Sequence, residues 1–327
     1  MSDQHAIEFT GLSKRYRGSR GQPDVEAVRG IDMDVARGEV FGFLGPNGAG
    51  KTTTVRMLCT LLPISAGEAT VAGIDVRRDP ARVRERIGVA LQEVGLDPTQ
   101  TGRELLELQC GLYKVPDAPA RATELLGLVG LSDAAGRLVR AYSGGMKRRL
   151  DLATALVHAP EVLFLDEPTT GLDPASRVTI WDEVRRINHT GTTVFLTTQY
   201  LEEADQLCDR VAIIDDGKIV AEGTPDALKS ELGSDVVTVG LKAEQHEAAR
   251  AVLSEVANLD HITDAAEGLA VYVDDGAAAV PDIVNLLADA GIRPGAMTLS
   301  RPTLDDVFLA ATGRRIEGGV PAEVATQ

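Results

Sequence analysis

Gly45-Pro46-Asn47-Gly48-Ala49-Gly50-Lys51-Thr52 has the spacing G-x-x-x-x-G-K-[ST], and these residue types in this order hold phosphate. Its glycines let consecutive backbone N–H groups turn inward around an anion, and a helix opening at Lys51 adds the positive end of its dipole. Lys51 brings a point charge to the outer phosphates and Thr52 a hydroxyl ligand for Mg²⁺. The adjacent carboxylates Asp166 and Glu167 offer complementary chemistry. Asp166 is placed to hold Mg²⁺ opposite Thr52, directly or through water, and Glu167 to polarise an attacking water as general base. In isolation such a pair is a solvated acidic turn; a phosphate site is what creates a need for both. Ser143-Gly144-Gly145 brings a hydroxyl, bare backbone and a helix dipole to one point, which makes it a second candidate anion site as well as an ordinary N-cap.

These residues need elements that aim them. Glu39 to Leu44 reads as a short apolar strand feeding the loop, and Val55, Leu58, Cys59 and Leu62 follow at i, i+3, i+4, i+7 on a helix. Val162 to Leu165 is too uniformly apolar for a half-exposed strand, so a buried parallel strand is expected to end at Asp166. Thr193 to Thr198 is expected to be another, ending at Gln199, and Ile87 to Gln92 a further one with Gln92 at its end. Open α/β sheets bind ligands at such strand ends. Upstream, Ile7-Glu8-Phe9 and Ala27 to Val35 alternate as strands around a loop at 17–24, and Gly67 to Gly73 reads as another. Tyr16 offers a face on which a base can stack; an exposed loop tyrosine fits equally. Between 101 and 136 the pattern is helical, with Leu105, Leu108, Leu125, Leu126 and Val129 as packing residues and breaks at Pro116 and Pro119. A helix over 147–155 follows the Ser-Gly-Gly turn, and Gly171 to Pro174 opens another over 175–188. Val211 to Ile214, Asp216-Gly217 and Lys218 to Val220 spell a hairpin.

The 327 residues carry 33 Lys plus Arg against 49 Asp plus Glu, a formal charge of -16 that repels nucleic acid phosphates, so no nucleic-acid partner is expected. Cys59, Cys110 and Cys208 lie far apart with no metal-binding spacing and are expected to be reduced packing residues. No run of 18 apolar residues occurs, so the chain is not expected to cross a membrane alone.

In this motif order, residues 6 to about 225 resemble the ATP-binding subunit of the ABC transporter family. The resemblance implies a P-loop NTPase fold with a β-subdomain and a helical subdomain at about 93–150, inside an ATP-binding domain at 6–227. It implies that Tyr16 stacks on adenine and that Gly45 to Thr53, Thr53 included, cradle the phosphates of ATP. Gln92 then links Mg²⁺ and water to a membrane partner, and Ser143-Gly144-Gly145 cap the γ-phosphate held by the opposite subunit. Asp166 and Glu167 match the metal-binding and catalytic carboxylates, and Asp173 the loop that communicates across the dimer. The implied assembly is a head-to-tail homodimer, bound peripherally at the cytoplasmic face of the membrane to a polytopic permease. Two departures stand out. The signature reads Tyr142-Ser143-Gly144-Gly145-Met146 where Leu-Ser-Gly-Gly-Gln is common, and Gln199 stands where most members carry histidine. Glutamine still donates a hydrogen bond but cannot carry a proton near neutral pH, so Gln199 is expected only to position phosphate.

Segments 199–207 and 301–308 resemble the daunorubicin/doxorubicin-resistance branch of exporter ATPases, which implies drug efflux; lipid or polysaccharide exporters and non-transport ATPases of the family are the alternatives. A GTPase would need an Asn-Lys-x-Asp guanine-reading motif, which is not present. From 228 to 315 the order β-α-β-β-α-β predicts a small ferredoxin-like α+β domain closed by a helix bearing Leu304, Val307, Phe308 and Ala311. A regulatory or dimer-contact role is expected for it, with Leu304 and Phe308 as the contact, and 316–327 is expected to be a disordered tail.

Overall fold

The computed structural model describes residues 4–18, 23–92, 95–233, 235–256, 259–265 and 268–314, without the side chain of Asp260. The expected tail at 316–327 lies outside the described residues. Two compact units divide between Glu222 and Gly223.

The first unit opens with β1 (His5–Tyr16) and β2 (Val25–Ala36), followed by β3 (Val40–Leu44), α1 (Lys51–Leu58), β4 (Ala66–Val71) and β5 (Ile74–Asp75). Next come α2 (Pro80–Arg86), β6 (Ile87–Ala90), α3 (Gly102–Leu112), α4 (Ala118–Leu128), α5 (Gly144–Ala155) and β7 (Val162–Asp166). It closes with α6 (Pro174–His189), β8 (Thr193–Thr198), α7 (Leu201–Leu207), β9 (Arg210–Asp215) and β10 (Lys218–Gly223). A sheet ordered β2-β1-β4-β5 accompanies a second ordered β10-β9-β3-β8-β7-β6, in which β9, β3, β8, β7 and β6 run parallel. Phe41 and Phe43 of β3, Phe164 of β7 and Phe195 of β8 interlock at ring separations of 5.6 to 5.8 Å. Aromatic packing of this kind fixes the three central strands against one another. Their C-terminal ends therefore deliver the phosphate loop, Asp166 and Gln199 side by side.

Helices α3, α4 and α5 interrupt the sheet as a block, and α3 starts with a capping box in which Thr101 and Glu104 satisfy each other's backbone N–H groups. Two expectations fail here. Leu108 is 50 % exposed and does not pack in the core. Pro119 does not break a helix but sits in the first turn of α4, where proline's missing N–H is harmless; the break falls at 113–117, around Pro116. Helix α5 begins at Gly144, not 147, because Ser143 caps it by accepting from Met146 N at 3.3 Å. Cys59, Cys110 and Cys208 are buried and free.

The second unit contains α8 (Pro225–Ser230), β11 (Asp235–Gly240), α9 (His246–Leu253), β12 (Leu259–Ala265), β13 (Gly268–Val273), α10 (Gly276–Asp289), β14 (Met297–Ser300) and α11 (Leu304–Thr312). Its antiparallel sheet runs β12-β13-β11-β14, and Val237, Val239, Val271, Leu253, Ile283 and Leu287 pack between sheet and helices. Leu304 and Phe308 are 1 % and 0 % exposed. They are core residues of α11, which packs on α8, and cannot form the surface contact expected of them.

Candidate functional site

The loop from Gly45 to Gly50 is shaped by its surroundings. A Cβ on Gly45 would lie 2.2 Å from the Ile214 carbonyl oxygen, and one on Gly50, whose φ is +111°, would lie 2.5 Å from that of Ala27. Only glycine satisfies both the close approach and the left-handed backbone. Gly45 N donates to Thr198 O at 3.2 Å, and Gly217 of the β9–β10 turn donates to Ala49 O at 3.0 Å, so the sheet braces both halves of the loop. Asn47 and Gly48 stay exposed at the tip, with Pro46 half-buried before them.

Lys51 is buried and donates through Nζ to the carbonyls of Gly45 at 2.7 Å and Pro46 at 3.0 Å. Burial lowers its pKa, and Glu167 and Asp166 oppose that fall. Asp166 Oδ1 accepts from Thr52 Oγ1 at 3.1 Å and from Thr197 Oγ1 at 2.6 Å, so the loop hydroxyl and the β7 carboxylate meet at one point. Glu167 takes a left-handed backbone at φ +49°, an arrangement that costs a non-glycine residue roughly 1–3 kcal/mol. Its N–H is tied to Thr197 O and Oγ1, both at 3.1 Å. Glu167 Oε2 accepts from Thr170 Oγ1 at 3.2 Å and Gln92 Nε2 at 3.4 Å, which brings Gln92 to the site although it lies two residues beyond β6.

Tyr16 ends β1, 40 % exposed, with its hydroxyl 3.5 Å from Thr53 Oγ1 and Lys14 Nζ 5.3 Å from its ring centre. The aromatic face thus lies beside the start of α1. Gln199 is half-buried just past β8, and among the described residues its side chain makes no hydrogen bond to Glu167 or the phosphate loop. Ser143 and Gly144 are exposed at the start of α5, and none of Ser143, Gly144 and Gly145 bonds to the phosphate loop among the described residues. Instead, a Cβ on Gly145 would lie 3.1 Å from Ser176 Oγ, the hydroxyl that donates to Asp173 Oδ2 at 2.6 Å. Asp173 caps α6, and these Ser176 hydrogen bonds hold its pKa below the usual carboxylate value. Tyr142 accounts for the first departure in the signature: it is buried, and its hydroxyl donates to Ala134 O at 2.8 Å inside the helical block.

Arg148 went unrecognised in the sequence. It is 4 % exposed and reaches Pro168 O at 2.9 Å, Leu91 O at 2.5 Å, Asp166 O at 3.2 Å and Asp151 Oδ2 at 3.1 Å. One guanidinium on the helix that Ser143 caps therefore grips the segment before Gln92 and the turn around Glu167. The available hint was periodicity, because Leu152 and Ala155 continue a buried stripe from Arg148 at i+4 and i+7. Burial pushes the Asp151 carboxyl up to about 6 against the pull of Arg148.

A parallel sheet whose central strands end in a phosphate loop and an acidic pair, interrupted by a helical block that presents a Ser-Gly-Gly turn, defines an ATP-binding cassette of the P-loop NTPase class. Residues 28–170 match the ABC transporter family, and residues 223–312 match the family described as ATP-binding protein DrrA1-3-like, C-terminal domain. The chain is 47% identical to the daunorubicin resistance ATP-binding protein DrrA2 of Streptomyces coeruleorubidus, over 99% of this chain and 100% of that one. It is 45% identical to the daunorubicin/doxorubicin resistance ATP-binding protein DrrA of Streptomyces peucetius, over 98% and 97%. With the Nod factor export ATP-binding protein I of Burkholderia orbicola the identity is 42%, over 95% and 98%. Among solved structures, the dimeric bacterial ABC transporter cassette MJ0796 superposes with a TM-score of 0.61 at 25% identity, covering 67% of this chain and 98% of that one. The chain belongs to the ABC transporter family of ATP-binding proteins, and it is an ATPase of that family.

Proposed function

We propose that this chain is the ATP-hydrolysing subunit of an exporter that expels a drug-like small molecule through a separate membrane permease. The observation that carries this reading is the division of the site: Lys51, Thr52, Asp166 and Glu167 converge, while Ser143 and Gly144 stand exposed and bonded elsewhere. One chain supplies two unlike halves, and a head-to-tail pair brings each half to the other's partner.

In this arrangement Gly45 to Thr53 cradle the phosphates, Tyr16 takes the adenine, and the partner's signature caps the γ-phosphate. Thr52, Asp166 and Gln92 form an all-oxygen donor set suited to Mg²⁺, which when bound there neutralises charge on the β- and γ-phosphate oxygens. Glu167, aimed by Gln92 and Thr170, takes a proton from the water that attacks the γ-phosphorus, and ADP and phosphate leave. Gln199 donates a hydrogen bond to the γ-phosphate, and Asp173 carries the state of one site to the other through Ser176 and Gly145.

No helix among the described residues is long and apolar enough to cross a membrane, and this reading gives the transport path to a partner. Leu108 and Leu112, one turn apart on α3, are exposed together with Tyr113 and Leu61. Tyr113 and Leu61 also line a groove of about 340 Å³ beside Leu91, next to Gln92. A cytoplasmic segment of the permease is the occupant this reading assigns to it, which makes the chain a peripheral subunit at the cytoplasmic membrane face. The resistance proteins support a drug as cargo; the Nod factor relative supports a second reading, in which the same machine exports another molecule.

Mixing two inactive variants tests the divided site. Lys51→Ala and Ser143→Arg should each abolish turnover alone, and their mixture should recover up to about a quarter of wild-type rate, because half the random dimers contain one intact site. A mixture as inactive as its parts would overturn the reading.

A further inference from the structure

Glu203 is 0 % exposed and has no part in the chemistry described above. It lies on α7, and its Oε1 accepts from Trp181 Nε1 of α6 at 3.0 Å. The hydroxyls of Thr198 and Thr169 lie near the same carboxylate, and Arg177 of α6 and Arg148 of α5 supply positive charge. Among the described residues, however, Glu203 Oε2 and Thr169 Oγ1 are buried without a hydrogen-bond partner, so the indole N–H is the side-chain tie. A carboxylate is costly to bury unless its surroundings are arranged for it, and these come from separate parts of the site. Thr198 precedes Gln199, Thr169 follows Glu167-Pro168, and Asp173 caps α6. The turn carrying Gln199 is braced twice more: Glu203 N donates to Tyr200 O at 3.1 Å, and Tyr200 N donates to Thr198 Oγ1 at 2.9 Å.

We propose that Glu203 is a positioning residue for hydrolysis, holding the Gln199 turn and the helix behind Asp173 in one arrangement. This rests on the nucleotide-site reading above. Its role is to keep the reacting groups in register, so its loss is read in turnover rather than in ATP affinity. Trp181 is the chain's only tryptophan, so its emission reports on the carboxylate it touches.

Full-length Glu203→Leu, Glu203→Gln and Trp181→Phe are compared with wild type for steady-state ATPase and, where Trp181 is present, for emission with and without ATP. Glu203→Leu should lower kcat about tenfold or more with KM for ATP within about twofold, since displacement of reacting groups costs rate steeply. Glu203→Gln, which keeps an acceptor for the indole N–H, should recover most of that loss, and the ATP-induced change in emission should survive in Glu203→Gln and vanish in Glu203→Leu. Equal impairment of the two Glu203 variants, or a Glu203→Leu enzyme with wild-type kcat, overturns the proposal. Should Glu203→Leu fail to fold, Trp181→Phe replaces it: a lowered kcat at unchanged KM supports positioning, and an unchanged kcat refutes it. Wild-type turnover that is indifferent to Glu167→Gln would count against the nucleotide-site reading instead.

Discussion

Lys51 Nζ and Glu167 Oε1 lie 3.4 Å apart with 4% and 6% of their side chains exposed, so the cation of the phosphate loop and the second carboxylate of the acidic pair share one desolvated pocket. Glu167 is the largest counterweight to the burial of the Lys51 ammonium. Glu167→Gln should lower steady-state turnover by roughly 10²–10⁴-fold, the range expected for loss of a general base, while ATP binding persists. Lys51→Ala should abolish ATP binding and also lower the melting temperature, since it strands a buried carboxylate. Turnover assays, nucleotide-binding titrations and thermal melts read these outcomes.

Gln199 cannot serve as a proton carrier near neutral pH, so the proposed function gives it only the lesser, positioning role. Gln199→Ala should reduce kcat about tenfold, the effect of losing one hydrogen bond to a charged group, and far less than Glu167→Gln. The idea would be falsified if Gln199→Ala abolished turnover while Glu167→Gln left it intact.

Burial raises the Asp151 carboxyl to about 6, above the ordinary carboxylate value near 4. The folded chain therefore binds more protons at this group than the unfolded chain between those values, so the stability from protonation is present at low pH and lost as pH rises through about 6. Relative to Asp151→Asn, the wild-type protein should gain melting temperature as pH is lowered from 7 toward 4. A difference that does not vary with pH across that window would show Asp151 to be unperturbed.

Phe308 is fully buried in α11, so Phe308→Ala should destabilise the second unit by about 3–5 kcal/mol, the usual cost of emptying an aromatic core site. Deleting 301–327 removes Leu304 and Phe308 together and should unfold that unit rather than detach a contact patch. Limited proteolysis would reveal this as cleavage within 223–300 of the truncated chain.

Leu112 is 68% exposed on α3 and its side chain has no core to lose. Leu112→Asp should leave the stability of the isolated chain within about 0.5 kcal/mol, as surface substitutions generally do, and its ATPase within about twofold of wild type. Recovery of the permease in co-purification should drop. Undiminished recovery would remove this patch from the partner interface.

Much of the site was legible because its chemistry is local in the chain. The phosphate loop, the strand before it and the helix after it are contiguous, and the apolar run ending in Asp166-Glu167 announces a buried strand with carboxylates at its tip. Local pattern also misled. Leu108 has helical spacing toward the core yet is exposed, since α3 packs on α4 and α5 through Leu105, Leu106 and Cys110 instead. Pro119 starts a helix rather than ending one, because an Asp117 cap lies ahead of it. Leu304 and Phe308 looked available for a partner only while α8 was not known to cover α11.

The sequence by itself determined the ATP-binding cassette and marked its glycine-rich loop, its acidic pair and the Ser-Gly-Gly turn, because each is a short run whose character follows from backbone geometry within a few residues. Only the tertiary structure decided which distant groups aim those runs. Thr197 reaches Asp166 through the parallel register of β7 and β8. Arg148 and Glu203 are charged residues on helices, and nothing in their neighbours' types says that they point inward. Their roles arise where separate elements meet in a desolvated interior, and there a single buried charge must find its partners across the fold or not be buried at all.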